Sequence, residues 1–167
     1  MTIRPETPSD HAAVFALNAT AFPTDAEARL VDALRKQASP IVSLVAEQDG
    51  VVVGHILFSP VTLPHHPSLA LMGLAPMAVH PQHQRQGIGG ALVKAGLAAC
   101  REMGAVAVIV LGHPEYYPRF GFVPASRFGI VCPYEVPDEV FLALELTPDV
   151  LIDAGGTLQY HAAFGDL

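Results

Sequence analysis

The chain has 167 residues, of which 51% are hydrophobic and 15% charged, and a formal net charge of −7. That length and apolar content suffice for the core of one domain over residues 1–167 and exclude disorder, while the acidic balance excludes nucleic acid and an anionic membrane surface as main partners. Apolar runs too short to span a membrane, no basic-then-apolar leader in MTIRPETPSD, and a thiol inventory limited to Cys100 and Cys132 together predict a cytoplasmic protein with packed, reduced cysteines.

The elements follow in chain order. TIRPET reads as a first strand, and TPSDHAAVFALNATAF as a first helix with Ser9 and Asp10 as cap candidates ahead of Val14 and Leu17. After the break at Pro23, DAEARLVDALRKQ places Leu30, Val31 and Leu34 on one helical face, with Arg35 and Lys36 near the end. IVSLVAEQDGVVVGHILFSPV is two β-branched runs around Asp49-Gly50, the signature of a tight hairpin. LALMGLAPMAV is apolar on both faces, as a central strand should be, but Pro76 has no N–H to give to a ladder. This strand is therefore expected to bulge or part from a neighbour there.

The stretch HPQHQRQGIGG comes next and opens ALVKAGLAACREMG, a helix with Leu92, Val93 and Leu97 as its apolar stripe and Gly104 as C-cap. AVAVIVLG is a buried strand, so strand, glycine turn, helix and strand form a parallel βαβ unit. HPEYYPRFGFVPAS and VFLALELTP then supply a short turn of helix around Pro114 and one or two late strands.

The glycine turn has two readings. Gly87, Gly89 and Gly90 either make a tight turn with close helix packing, or let a phosphate approach the unpaired N–H groups of a helix start. A dinucleotide fingerprint fails, because Leu92 stands where a third glycine is needed and VLGH carries no acid. A P-loop fails too, because GGAL replaces Gly-Lys-Ser/Thr. Charge placement favours an anion at the centre of the chain. No acidic residue lies between Asp49 and Glu102, whereas Arg85, Lys94 and Arg101 do, and the acid-rich flanks suit a cationic substrate.

Gln84-x-x-Gly87-x-Gly89, after MAV and before a helix, resembles the acyl-CoA pyrophosphate motif of the GNAT family of N-acetyltransferases. About thirty residues on, YYPRFGF resembles the family's Tyr-x-x-x-Gly-Phe segment, and AEARLVDALR with GHILFSPV is similar to a bacterial branch of predicted N-acetyltransferases of unsettled substrate.

The resemblance implies an α/β fold of one domain, with a central mixed sheet of about six to seven strands, about four flanking helices and a splay between the fourth and fifth strands. It implies acetyl-CoA as cosubstrate, with pantetheine along Met77, Ala78 and Val79. The pyrophosphate would lie on the backbone of Gln84, Arg85, Gln86, Gly87, Ile88, Gly89 and Gly90, with a side-chain contact from Arg85 and with Ile88 packing inward. Lys94 either reaches a phosphate or solvates the helix. Tyr117 matches the general acid that protonates the departing thiolate; its other reading is core packing beside Tyr116 and Phe120. The chain departs from the family pattern at Val110, where an Asn is frequent, and at Pro118.

Glu27 falls in the helical region the family uses for its acceptor, and Glu27, His55, His113 and Glu115 are candidate bases for the incoming amine. His55, inside an apolar strand, reads equally as a hydrogen-bonded core histidine, and His113 as a cap. The histidine pairs at 65–66 and 80/83 lack Cys or acid partners, so no metal is expected. The implied partner is a small-molecule or peptide amine, with the chain a monomer or homodimer. A non-catalytic acyl-CoA-binding module is the other function the same residues allow.

Overall fold

The computed structural model describes residues 1–166; Leu167, the last residue of the expected domain, lies outside them. Strand β1 (Thr2–Pro5) leads into helices α1 (His11–Ala21) and α2 (Ala26–Gln37), then β2 (Val42–Gln48), β3 (Val51–Val61) and β4 (Leu71–Val79). Helix α3 (Ile88–Glu102) precedes β5 (Ala107–Leu111), β6 (Val123–Pro124), β7 (Ile130–Val131), β8 (Phe141–Glu145) and β9 (Gly156–Thr157). Asp49 and Gly50 have φ of 52° and 78°, the left-handed pair that a type I′ hairpin turn requires. The expected helix around Pro114 is instead a single 3-10 turn, Tyr117–Phe120, leaving three α-helices among the described residues where about four were expected. Pro114 and Pro118 have no N–H for an α-helical ladder, and Gly121, at φ 99°, ends the turn.

Seven strands pair in the order β1-β2-β3-β4-β5-β8-β6, and β7 pairs with β9 in a separate ribbon. Within the larger sheet β4–β5 is the parallel pair, as the βαβ unit requires. That pairing covers Leu71 to Leu74 against Ala107 to Val110 and then stops. On the other side of β4 the register slips between Ile56 and Phe58, which face Met77 and Leu74, so Ala75 and Pro76 form a bulge. The expected splay is therefore present, at the proline.

Three hydrophobic clusters pack on the sheet, and two of them hold its helices. Ile56, Phe58, Met72 and Leu74 pack on one face against Leu92, Val93 and Leu97 of α3. Val45 and Leu57 pack on the other against Val14 of α1 and Leu30, Val31 and Leu34 of α2, and Phe164 of the C-terminal tail joins them.

A polar chain crosses this second core. Arg35 pairs with Glu6, whose Oε2 accepts from Ser43 Oγ at 2.7 Å. Ser43 Oγ lies 2.9 Å from His55 Nε2, and Asn18 Nδ2 lies 3.3 Å from His55 Nδ1 while also donating to the Val14 carbonyl at 3.0 Å. Because Ser43 gives its own hydrogen to Glu6, His55 must donate from Nε2 and accept at Nδ1, which makes it neutral. His55 is fully buried, and desolvation lowers its pKa from 6.5 to about 4. It is the hydrogen-bonded core histidine, tying α1 to β2 and β3.

A neutral form favoured by folding stabilises the protein above the unfolded pKa of about 6.5 and ceases to do so as pH falls toward 4. Urea titrations should show about 2 kcal/mol of unfolding free energy lost between pH 7 and pH 5 from this group. The step should vanish in His55→Gln, which starts lower at pH 7. An unchanged wild-type stability at pH 5 would contradict the assignment.

Candidate functional site

A cleft of about 850 Å³ opens where β4 leaves β5 and α3 begins. Its lining brings together Met77, Val79, Gln84, Arg85, Gly87, Ile88, Gly89 and Gly90 with Tyr117 from the far side of βαβ. Of the other residues expected at this site, Ala78 alternates with Met77 and Val79 and is buried, Gln86 is exposed outside the lining, and Glu27 lies on α2.

The loop geometry explains the glycines. Gly87, at φ 81°, is the N-cap of α3, and Arg85 beside it also takes a left-handed φ of 64°. The first helical bond runs from Ala91 N–H to the Gly87 carbonyl at 3.0 Å, so the N–H groups of Ile88, Gly89 and Gly90 precede the intrahelical ladder. A Cβ on Gly89 would lie 3.2 Å from Tyr116 Oη and 3.8 Å from both Met77 and Val79 side chains. The loop is thus a concave seat at the positive end of a 15-residue helix. Ile88 packs inward, as expected, joining the core beside Leu92. Gln84 Nε2 donates to the Val79 carbonyl at 3.2 Å and closes the end of β4.

The lining includes Arg85, Lys94 and Arg119 together with His83 and His113, and no Asp or Glu. Three basic side chains facing a helix N-terminus make the cleft attractive to a polyanion. Lys94 therefore faces the cleft as well as solvent. His113 is exposed at the rim, and Glu115 is exposed but not in the lining. Among the described residues no group of three or more His, Cys, Asp or Glu could hold a metal ion.

Tyr117 is buried, with its ring packed on Gly112, where any Cβ would collide with it. Phe122 meets the ring edge-on at 5.6 Å and Tyr116 at 5.1 Å. Burial, followed by the neighbouring Tyr116, pushes the Tyr117 phenol up to about 12. Core packing and a place in the cleft are thus not exclusive for this residue. Tyr116 and Arg119 escaped the sequence reading, because the Tyr-x-x-x-Gly-Phe spacing selects Tyr117 alone. The tight pitch of the 3-10 turn is what puts both tyrosines and Arg119 on the cleft wall.

Glu27 lies on the buried stripe of α2, one turn before Leu30 and Val31. Its Oε2 is shielded from solvent without a hydrogen-bond partner. Asn18 Oδ1, Ser59 Oγ and, at the end of β2, Gln48 Oε1 are in the same condition. Ser59 pairs across with Gly73, over which Tyr160 lies, so three of these four atoms, those of Glu27, Asn18 and Ser59, belong to the α1/α2 face of the sheet.

Comparison with known proteins agrees with this geometry. Residues 2–125 match the acetyltransferase (GNAT) domain family. The chain is 38% identical over 165 residues to the uncharacterized N-acetyltransferase YhbS of Escherichia coli strain K12, covering 98% of each chain. It is 42% identical over 135 residues to the uncharacterized N-acetyltransferase YjhQ of the same strain, covering 78% of this chain and 75% of that protein. The crystal structure of E. coli YhbS in complex with CoA superposes with a TM-score of 0.92 at 36% identity, over 98% of this chain and 91% of that one. A GNAT family acetyltransferase from Brucella melitensis in complex with acetyl-CoA gives a TM-score of 0.80 at 38% identity, over 98% and 97%. With the parted strands, the glycine seat and these relatives in agreement, the chain belongs to the GNAT family of acetyltransferases.

Proposed function

We propose that the protein moves an acetyl group from acetyl-CoA directly to a primary amine of a small molecule or peptide. The observation that carries this reading is the cleft: a glycine seat of free N–H groups, ringed by unopposed cations, at the mouth of a gap between β4 and β5. The seat fits a pyrophosphate, since a Cβ at Gly89 would intrude on it, and Met77 and Val79 line the path a pantetheine arm would take. Acetyl-CoA supplies the activated thioester. Arg85 and the amides of residues 84–90 hold its anionic end, and a backbone N–H near Val79 polarises the carbonyl.

The amine nitrogen bonds to the carbonyl carbon, the carbon–sulfur bond breaks, Tyr117 gives its proton to the departing sulfur, and the proton that the new amide nitrogen sheds restores the Tyr117 phenol. A phenol held near 12 stays protonated throughout the working range and so remains a donor. The acceptor lies on the α1/α2 face, where Glu27, with a buried and unpartnered oxygen, binds the ammonium and takes up its proton. The protein works in the cytoplasm as a monomer or homodimer; no helix among the described residues is long and apolar enough to cross a membrane.

Tyr117→Phe should lower turnover about a hundredfold while calorimetric CoA affinity changes less than about twofold. Wild-type turnover should show no alkaline decline near pH 10, because the acid form of Tyr117 persists to about 12. Equal turnover and pH profile in the two proteins would remove its acid role. Glu27→Gln should raise the KM for amine about tenfold or more and leave that for acetyl-CoA unchanged; the reverse pattern would move the acceptor elsewhere. CoA binding without thiol release on any amine would instead favour a non-catalytic acyl-CoA-binding module.

A further inference from the structure

Six of the nine Lys and Arg residues form two contrasting sets. Arg4, Arg29 and Arg35 are each paired with a carboxylate. Arg85, Lys94 and Arg119 line the cleft, and none has a carboxylate partner among the described residues. The seat at residues 84–90, with Arg85, accounts for a pyrophosphate. Lys94 and Arg119 are left over, and both line the same cleft.

Their placement follows from packing. The turn carrying Arg119 lies across the first turn of α3, with Tyr116 Oη 3.2 Å from a Cβ at Gly89 and Phe120 Cζ 3.7 Å from one at Gly90. Lys94 is one helical turn beyond Gly90, on the cleft side. Arg119 is also held in place. Its Nε donates to the Tyr116 carbonyl at 3.0 Å, and its guanidinium lies 4.7 Å over the centre of the Tyr116 ring. Its two terminal nitrogens have no hydrogen-bond partner among the described residues, so a planar donor fork is presented with much of its entropy already lost. A fork of that kind, in a cleft that also holds an ammonium, suits a phosphate monoester. Coenzyme A carries one such group apart from its pyrophosphate, on the ribose 3′ oxygen.

We propose that Arg119, assisted by Lys94, recognises the 3′-phosphate of coenzyme A and makes the cleft discriminate against the 3′-dephospho form. This rests on coenzyme A being the ligand of the cleft. The pyrophosphate seat and the 3′-phosphate contact are separable, because the dephospho compound keeps the pyrophosphate, the adenine and the pantetheine arm.

Calorimetric titrations of CoA and 3′-dephospho-CoA, with thermal melts to verify folding, test the assignment on the wild type, Arg119→Gln and Arg119→Lys. The wild type should bind CoA about tenfold more tightly than dephospho-CoA, and the ratio should shrink as salt rises. Arg119→Gln should weaken CoA alone and bring the ratio within about twofold, while Arg119→Lys keeps part of it. Equal wild-type affinities would overturn the proposal and leave the cofactor reading standing. An Arg119→Gln protein weakened equally toward both ligands would also overturn it, placing Arg119 on the pyrophosphate or adenine. Failure of the wild type to bind CoA would remove the cofactor reading and this inference together.

Discussion

Pro76 has no amide hydrogen, and β4 changes partners around it. Before the proline, Leu71 to Leu74 are bonded to β5; at Ala75 and Pro76 the strand bulges; afterwards Met77 to Val79 stay with β3 alone. β5 continues to pair with β8 through Leu111 and Phe141, so the two halves of the sheet diverge. Everything chemically useful is placed by this divergence. α3 begins where β4 ends, which aims its unpaired N–H groups at the mouth of the gap, and the chain leaving β5 brings Tyr117 to the opposite wall. A strand with a donor at residue 76 could keep pairing with β5 and close the opening.

The sheet then divides the work between its faces. The α3 face carries the cationic cleft, with no acid in its lining. The α1/α2 face carries a buried polar chain from Arg35 to Asn18 and three of the four shielded side-chain oxygen atoms without partners among the described residues. Orphaned buried acceptors are costly, at about 1–3 kcal/mol each, and their gathering on one face marks where an incoming donor would recover that energy. His55 stands apart from this: both ring nitrogens are engaged, so it stiffens the joint between α1 and the sheet.

What the sequence disclosed was mostly local. Asp49-Gly50 announces its hairpin because only a few residue types tolerate two consecutive positive φ values, and Pro76 announces a break because a missing donor is a property of one residue. The glycine seat was legible as a pair of alternatives, and spacing to YYPRFGF narrowed them. Less was legible where distant segments meet. Tyr160 and Phe164 of the tail pack beside α2, and Tyr116 covers Gly89; neither contact leaves a periodic trace. The fourth helix was expected from a run that in fact holds two prolines and a left-handed glycine, and only a 3-10 turn fits between them. Lys94 reads from sequence either as reaching a phosphate or as solvating the helix, and its place in the cleft lining appears only once the turn at 117–120 is folded against α3.

The claim that the cleft seats coenzyme A on free backbone amides at the end of a parted strand is tested most directly by amide hydrogen exchange, with and without CoA. Protection should rise at Gly87 to Gly90 and along Met77 to Val79, with little change in β1, β2 or α2. Unchanged exchange at the glycine seat in a protein that binds CoA, with protection arising elsewhere, would contradict it.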